Sequence, residues 1–366
     1  MYKYPVYRPL LNGKEKEYII DCLESSWISS KGKYVDRFER QFADYIGTKH
    51  AASVCNGTVA LHISLLALGV GPGDEVIVPT LTYIASANAI TYTGATPVFA
   101  ESLKDSWQID PADVAARITE NTKAIMVVHL YGYPCHMGEF EKLAKKHNLF
   151  LIEDCAEAIG SEYFGRKVGS IGDISCFSFF GNKTITTGEG GMVNTDNAEL
   201  DSKVRRLKGQ GLADKREYWH DLVGYNYRMT NIEAALGCAQ LERIDAIVDR
   251  KIAIAKRYRK KLFGLPVSFH SSCEYGKHTY WMCSILTEKA IGRDLLREHL
   301  KHVGIETRPI FNPIHTMPIY PGKKGDFPIA ENLSDCGINL PSYPELSDSD
   351  IDIIAENVNE YFKEKL

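Results

Sequence analysis

Lys183 stands between an aromatic run and a glycine-rich turn, in the stretch FSFFGNKTITTGEGGMV over 177–193. An amine in such apolar company suits attack on an aldehyde or ketone, because burial near other cations lowers its proton affinity. Ser178, just upstream, offers a hydroxyl to a bound phosphate, and the glycines after Lys183 permit an irregular backbone. Asp154 and Glu157 close a buried apolar run, LFLIEDCAEA, where an unpaired carboxylate is costly. Such acids either reach solvent and cap the next helix, or are kept ionised for a cationic heterocycle. Asn56, Gly57 and Thr58, in CNGTVALH, lie where a strand hands over to a helix, whose free N–H groups and dipole attract phosphate. Taken alone, that triplet is best read as a plain cap on a core helix.

Taken together, these positions meet the needs of pyridoxal phosphate: an anchor for its phosphate, a carboxylate for its ring nitrogen and a lysine for its aldehyde. Their order separates them from a dinucleotide site. GVGPGD (69–74) carries spaced glycines, yet it precedes a strand and Pro72 interrupts it.

The elements that must hold these groups alternate between strands and helices. Apolar strands are expected at 74–79, 96–101, 123–132, 149–156, 173–180 and 190–195, with helices over 56–70, 82–94, 110–119 and 138–148. Wholly apolar strands between helices imply an α/β fold with a mainly parallel sheet covered on both faces. From 226 to 262 the pattern reads as one long, charged, amphipathic helix. The boundary is expected inside it, giving a large domain over 1–245 and a smaller α+β domain over 246–366.

The 366 residues carry a net charge of −4 with both signs interspersed, which leaves no basic footprint for nucleic acid and no polybasic membrane patch. No run approaches the roughly 18 apolar residues a membrane helix needs, and the first residues lack a signal-peptide core. Nine cysteines without a CxxC pair fit reduced thiols, and no Cys/His spacing suggests zinc. The expectation is a cytoplasmic protein without metal, nucleic-acid or membrane partner.

The segments SVCNGTVALHISLLALGVGPGDEVIVPTLTYIAS, VHLYGYPCHM, LIEDCAEAIGSEY, FSFFGNKTITTGEGGMV and GYNYRMTNIEAALGCAQLE go beyond spacing. Over nearly its whole length the chain resembles the DegT/DnrJ/EryC1/StrS family of sugar aminotransferases. That resemblance implies fold type I, with a large seven-stranded-type sheet domain and a smaller C-terminal domain. WISSKGKY, YWHDLVGYNYRMTN and HTMPIY are similar to the branch that aminates C4 of GDP-4-keto-6-deoxy-D-mannose for O-antigen or other surface polysaccharide. A UDP- or dTDP-linked 4-keto-6-deoxyglucose is the alternative substrate, and a non-catalytic regulator that binds the cofactor or a nucleotide sugar is a remote one. A sister branch with histidine at the lysine position dehydrates the same sugar nucleotide, so Lys183 argues for amino transfer.

The resemblance further implies that Lys183 carries the pyridoxal phosphate and moves the proton, while Asp154 pairs with its ring nitrogen. Asn56, Gly57, Thr58 and Ser178 would hold the phosphate and Tyr83 would stack on the ring. Glu157 would lie near the ring's 3′-oxygen, where many relatives carry glutamine. Cys55 stands where serine is more usual. The implied assembly is a homodimer in which Asn226 reaches the partner's phosphate site. Arg228 and Arg308 would clamp carboxylates of L-glutamate or phosphates of the nucleotide sugar. Trp27 and Ser29 in SSWISSKG, with His315 and Tyr320 in NPIHTMPIY, are the remaining substrate candidates. Trp27 and Tyr320 could equally seal the core. His129 and His220 read as hydrogen-bonded structural residues.

Overall fold

The computed structural model describes residues 2–213, 216–320 and 322–365. In chain order, strands β1 (His50–Val54), β2 (Glu75–Pro79), β3 (Thr96–Ala100), β4 (Thr122–Val128) and β5 (Phe150–Asp154) precede a small hairpin, β6 (Glu162–Tyr163) and β7 (Arg166–Lys167). Then come β8 (Ile174–Ser178) and β9 (Gly191–Thr195). Seven of these form one sheet in the order β1-β9-β8-β5-β4-β2-β3. β9 runs antiparallel to both β1 and β8, and every other pairing in this sheet is parallel. The expected mainly parallel seven-stranded sheet is therefore present.

Strand interiors such as Val76, Ile77, Val78 and Ala124 to Val127 are fully buried. Helices α1 (Glu15–Glu24), α2 (Lys33–Ile46), α3 (Gly57–Ala67), α4 (Ala85–Tyr92), α5 (Pro111–Ala116), α6 (Met137–His147) and α7 (Ala198–Lys208) surround the sheet, and α2, α3, α4, α6 and α7 pack directly on its strands. Covering both faces explains why these strands are continuous apolar runs and not alternating ones.

The single long helix expected over 226–262 is two helices, α8 (Asn231–Leu241) and α9 (Ile244–Lys261), preceded by extended chain. Thr230 starts α8 with a capping box, its side chain accepting the Glu233 N–H while Glu233 accepts that of Thr230. The break falls where Glu242 is held by Tyr18 and Arg37 and Arg243 faces Glu15, so packing against α1 and α2 overrides a continuous helical pattern.

Beyond it, β10 (Val267–Ser268), β12 (Cys283–Thr287), β13 (Arg308–Pro309) and β14 (Gly337–Leu340) form an antiparallel sheet in the order β10-β12-β14-β13, while β11 (Gly276–Lys277) pairs with β6. Helices α10 (Ala290–His302), α11 (Pro328–Cys336) and α12 (Asp348–Lys365) accompany this sheet. Its core includes Ile254, Tyr258, Ile285 and Ile354, together with Tyr4 from the other end of the chain.

Candidate active site

The carboxyl ends of parallel strands are where an open α/β sheet gathers ligands, and β4, β5 and β8 end beside one another here. Each delivers part of one cluster.

The β1–α3 junction brings Asn56, Gly57 and Ser178 together. Asn56 caps α3, its side chain accepting the Val59 N–H at 3.0 Å. The first intrahelical bond comes from Ala60, so the Gly57 and Thr58 amides precede the helix's own ladder. A Cβ on Gly57 would lie 2.7 Å from the Ser178 Cβ, so only glycine lets the helix start approach that hydroxyl. Gly191 similarly passes Asn56, where a Cβ would lie 2.6 Å from its carbonyl. Amides that precede the helix ladder, a dipole end and a hydroxyl in one place are what an anion site needs.

Glu39 anchors this junction from behind, a contact that no sequence pattern signalled. It accepts the Ser53 N–H at 2.7 Å and the Lys208 amine at 2.8 Å, with Arg205 on its other oxygen. Burial would raise its carboxyl, but the two cations hold it down at about 2.

Asp154 ends β5, buried, with one oxygen accepting the Ser86 hydroxyl at 2.7 Å and the other the Ala156 N–H at 3.1 Å. Burial pushes its carboxyl up, opposed by those donors and by the charge of Lys183. A cation placed against it would restore the ionised form. Neighbouring Glu153 accepts three backbone N–H groups, from Gly169, Ile171 and Gly172, and faces His129 at 3.1 Å. His129, Glu153 and Cys155 lie within metal-ligand reach of one another. However, Cys135 donates to His129 Nδ1 at 3.0 Å, leaving Nε2–H to donate to Glu153. With both ring nitrogens used, the His129–Glu153 pair holds the end of β4 against β5, as the His129 N–H to Asp154 carbonyl bond also does.

Lys183 extends from the loop after β8, its side chain only 12% exposed. Its amine is 3.5 Å from Glu157 Oε1 and 3.9 Å from the centroid of the Trp281 ring. Glu157 Oε2 accepts the Tyr131 N–H at 2.9 Å. Tyr131 holds a left-handed backbone, φ 55°, in the turn after β4, a conformation that costs energy in a bulky residue and aims its amide at Glu157. Burial raises the Glu157 carboxyl, with Lys183 and the Tyr131 amide opposing and the Asp154 charge adding. Behind Lys183, Phe177 and Phe179 pack edge-on against Phe42, which fixes the strand end, whereas Phe180 turns outward.

The aromatic residues continue outward: Trp281 stacks on Tyr131, Tyr131 on Phe311, and Phe311 meets Tyr83 at 5.7 Å. Trp281, Tyr131 and Ser86 were not among the expected site residues. An aromatic in an apolar segment reads as core, and only the fold brings Trp281 to Lys183. Tyr83 is 57% exposed.

The other expected residues make contacts of their own. His315 is buried, with Nδ1 on Thr80 Oγ1 at 2.7 Å and Nε2 on Glu331 at 3.1 Å, so its ring is spent on holding its own turn. The Tyr320 hydroxyl donates to Asn88 at 2.7 Å, tying the same turn to α4. Both residues are buried in this turn. The carbonyls of Trp27 and Ser29 accept from Asn231, and the Trp27 ring projects into solvent. Arg228 bridges to Val54 beside the anion site, with Asn226 close by, both exposed. Arg308 is exposed beside Glu306 at 3.3 Å. A separate cavity of about 430 Å³ between Trp107, Phe269 and Leu333 shares no lining residue with the Lys183 cluster.

The chain is 58% identical to the GDP-perosamine synthase of Escherichia coli O157:H7, over 99% of both chains. It is 50% identical to the GDP-perosamine synthase of Vibrio cholerae, over 98% of this chain and 99% of that one. Among solved structures, the putative sugar aminotransferase Spr1654 of Streptococcus pneumoniae in its PMP form superposes with a TM-score of 0.95 at 29% identity, covering 99% of this chain and 98% of that one. S. venezuelae DesV superposes at 0.91 with 35% identity, over 96% and 94%. With residues 9–359 matching its sequence model, the chain belongs to the DegT/DnrJ/EryC1/StrS aminotransferase family.

Proposed function

We propose that this aminotransferase moves an amino group from L-glutamate to C4 of GDP-4-keto-6-deoxy-D-mannose, giving GDP-perosamine and 2-oxoglutarate for surface-polysaccharide synthesis in the cytoplasm. The 58% identity to a GDP-perosamine synthase along the full length carries the substrate assignment.

The residues fit pyridoxal phosphate. The Gly57–Ser178 approach would be filled by any Cβ, leaving room there for a phosphate on the α3 amides. Asp154 is a buried carboxylate whose charge has no full partner until a protonated ring nitrogen meets it. When bound, the cofactor supplies an electron sink for proton movement at the amino-bearing carbon. Lys183 is the amine that would hold its aldehyde and carry the proton, with Glu157, 3.5 Å away, to orient it. Tyr83 covers the outer face. His315 and Tyr320 act indirectly, by fixing the turn they anchor against β2 and α4.

Arg228 and Arg308 are the candidate clamps for carboxylate or phosphate, and Trp27 and Ser29 line the approach. The partner reading rests on exposed apolar side chains in the segment before Asn226: Tyr218 is 91% and Val223 85% exposed. A second copy of the chain covers them and receives Asn226 at its phosphate site. We divide the chain into a cofactor-binding domain, 1–245, and a smaller domain, 246–366. Among the described residues no helix is long and apolar enough to cross a membrane.

Supplying the holoenzyme with glutamate and GDP-, UDP- or dTDP-linked 4-keto-6-deoxy sugars side by side tests the substrate. Formation of 2-oxoglutarate only with the GDP sugar is expected. Turnover confined to a UDP or dTDP sugar would overturn the assignment.

A further inference from the structure

Residues 3–10 run as a strap from the four-stranded sheet to the loop that carries Lys183. Tyr4 donates to the Gly304 carbonyl at 3.1 Å and accepts from Glu306 at 2.9 Å. Val6 donates to the Glu306 carboxylate at 2.9 Å and accepts from Ser342 at 3.2 Å. Tyr7 then turns its hydroxyl onto the backbone carbonyl of Lys183. Further along, the Leu10 carbonyl takes the Gln240 amide of α8 at 2.8 Å.

Both faces of this arrangement are built. Beneath the Tyr7 ring, the amine of Lys251 lies 5.2 Å from the centroid and donates to the Ser342 carbonyl at 2.9 Å. On the other side, Trp281 donates its indole N–H to the Asn182 carbonyl at 2.7 Å. Two consecutive carbonyls of the lysine loop thus each accept one donor from an aromatic side chain outside the seven-stranded sheet. Burial pushes the Tyr7 phenol up, so it stays a neutral donor over the working range of pH.

We propose that Tyr7 is a positioning residue for Lys183: its hydroxyl fixes the lysine's peptide to the N-terminal strap, and through the strap to the four-stranded sheet. The aim of the amine then depends on that sheet being seated. The inference rests on the reading of Lys183 as the reacting amine.

Tyr7→Phe removes the donor and keeps the ring over Lys251. In the apoprotein, amide hydrogen exchange of the segment 180–187 should quicken at least about threefold, with β12 and β14 unchanged. In the holoenzyme, kcat should fall about three- to tenfold with KM moving less than about twofold, the loss expected for one hydrogen bond. The pH midpoint of the cofactor's yellow absorbance should also move. Trp281→Phe, which removes the adjacent donor, should quicken exchange in the same segment. Arg8→Ala, which breaks an exposed pair with Glu345 on the same strap, should change none of these. Unaltered exchange over 180–187 in Tyr7→Phe, or loosening spread evenly through the four-stranded sheet, would overturn the positioning role. Quickened exchange with unchanged kcat would leave the tether a structural contact and overturn its positioning of the amine, whereas failure of the Lys183 reading would show separately, as yellow absorbance and half-reaction retained in Lys183→Ala.

Discussion

The amine of Lys183 lies 3.5 Å from one oxygen of Glu157, and the other oxygen of that carboxyl takes the Tyr131 N–H at 2.9 Å. Even with a lysine beside it, burial holds the Glu157 carboxyl above its ordinary value of 4.5. The folded protein therefore binds this proton more tightly than the unfolded chain does. Stability is full below that ordinary value and is lost as pH rises through the raised one.

Glu157→Gln keeps an acceptor for Tyr131 and removes the buried charge. The apoprotein should melt about 1–3 °C higher at pH 8 than the parent, with the gain gone below about pH 4. Paired melting curves across pH check this, and a lower melting point at pH 8 would contradict it.

The proposed anion site depends on the absence of one side chain. Gly57→Ala places a methyl group 2.7 Å from the Ser178 Cβ, so either α3 or β8 must move. We expect an apoprotein destabilised by about 1–3 kcal/mol and cofactor affinity lowered by about tenfold or more. Urea unfolding and an equilibrium titration with pyridoxal phosphate measure the two effects. Unchanged affinity would place the phosphate elsewhere.

Lys251, only 1% exposed, has no carboxylate partner among the described residues, and burial pulls it down from 10.5 to about 7. Tyr7 and Cys283 are its titratable neighbours. Between about 7 and 10.5 the unfolded chain binds this proton and the folded one does not, so stability rises with pH through that window. Lys251→Met should flatten this rise and stabilise the protein at neutral pH, as read from denaturant midpoints at pH 7 and 10. A slope identical to the parent's would show that Lys251 is already charged at pH 10.

These residues differ in how far the sequence announced them. The parallel strands were legible because burial on both faces leaves runs such as Val76–Val78 wholly apolar. Lys183 and Asp154 stand out in the sequence because an amine or acid amid apolar neighbours calls for a reason, and both side chains are largely buried. The break between α8 and α9 was not, since Glu242 and Arg243 are good helix formers and only their pairs with Arg37, Tyr18 and Glu15 interrupt the helix. β14 was missed because GINL is too short to show a period, although it lies inside its sheet. Tyr7 and Trp281 were hidden for another reason: their partners lie far along the chain, and their types are those of ordinary core. His315 lies in a loop that the resemblance singles out, and the sequence does not show that Thr80 and Glu331 hold its ring.

Replacement of the lysine itself bears most directly on the chemistry. Lys183→Ala, reconstituted with pyridoxal phosphate, should lack the yellow absorbance of the parent and should form no 2-oxoglutarate from L-glutamate in a single half-reaction. Retention of both at rates within about tenfold of the parent would show that another group does this work.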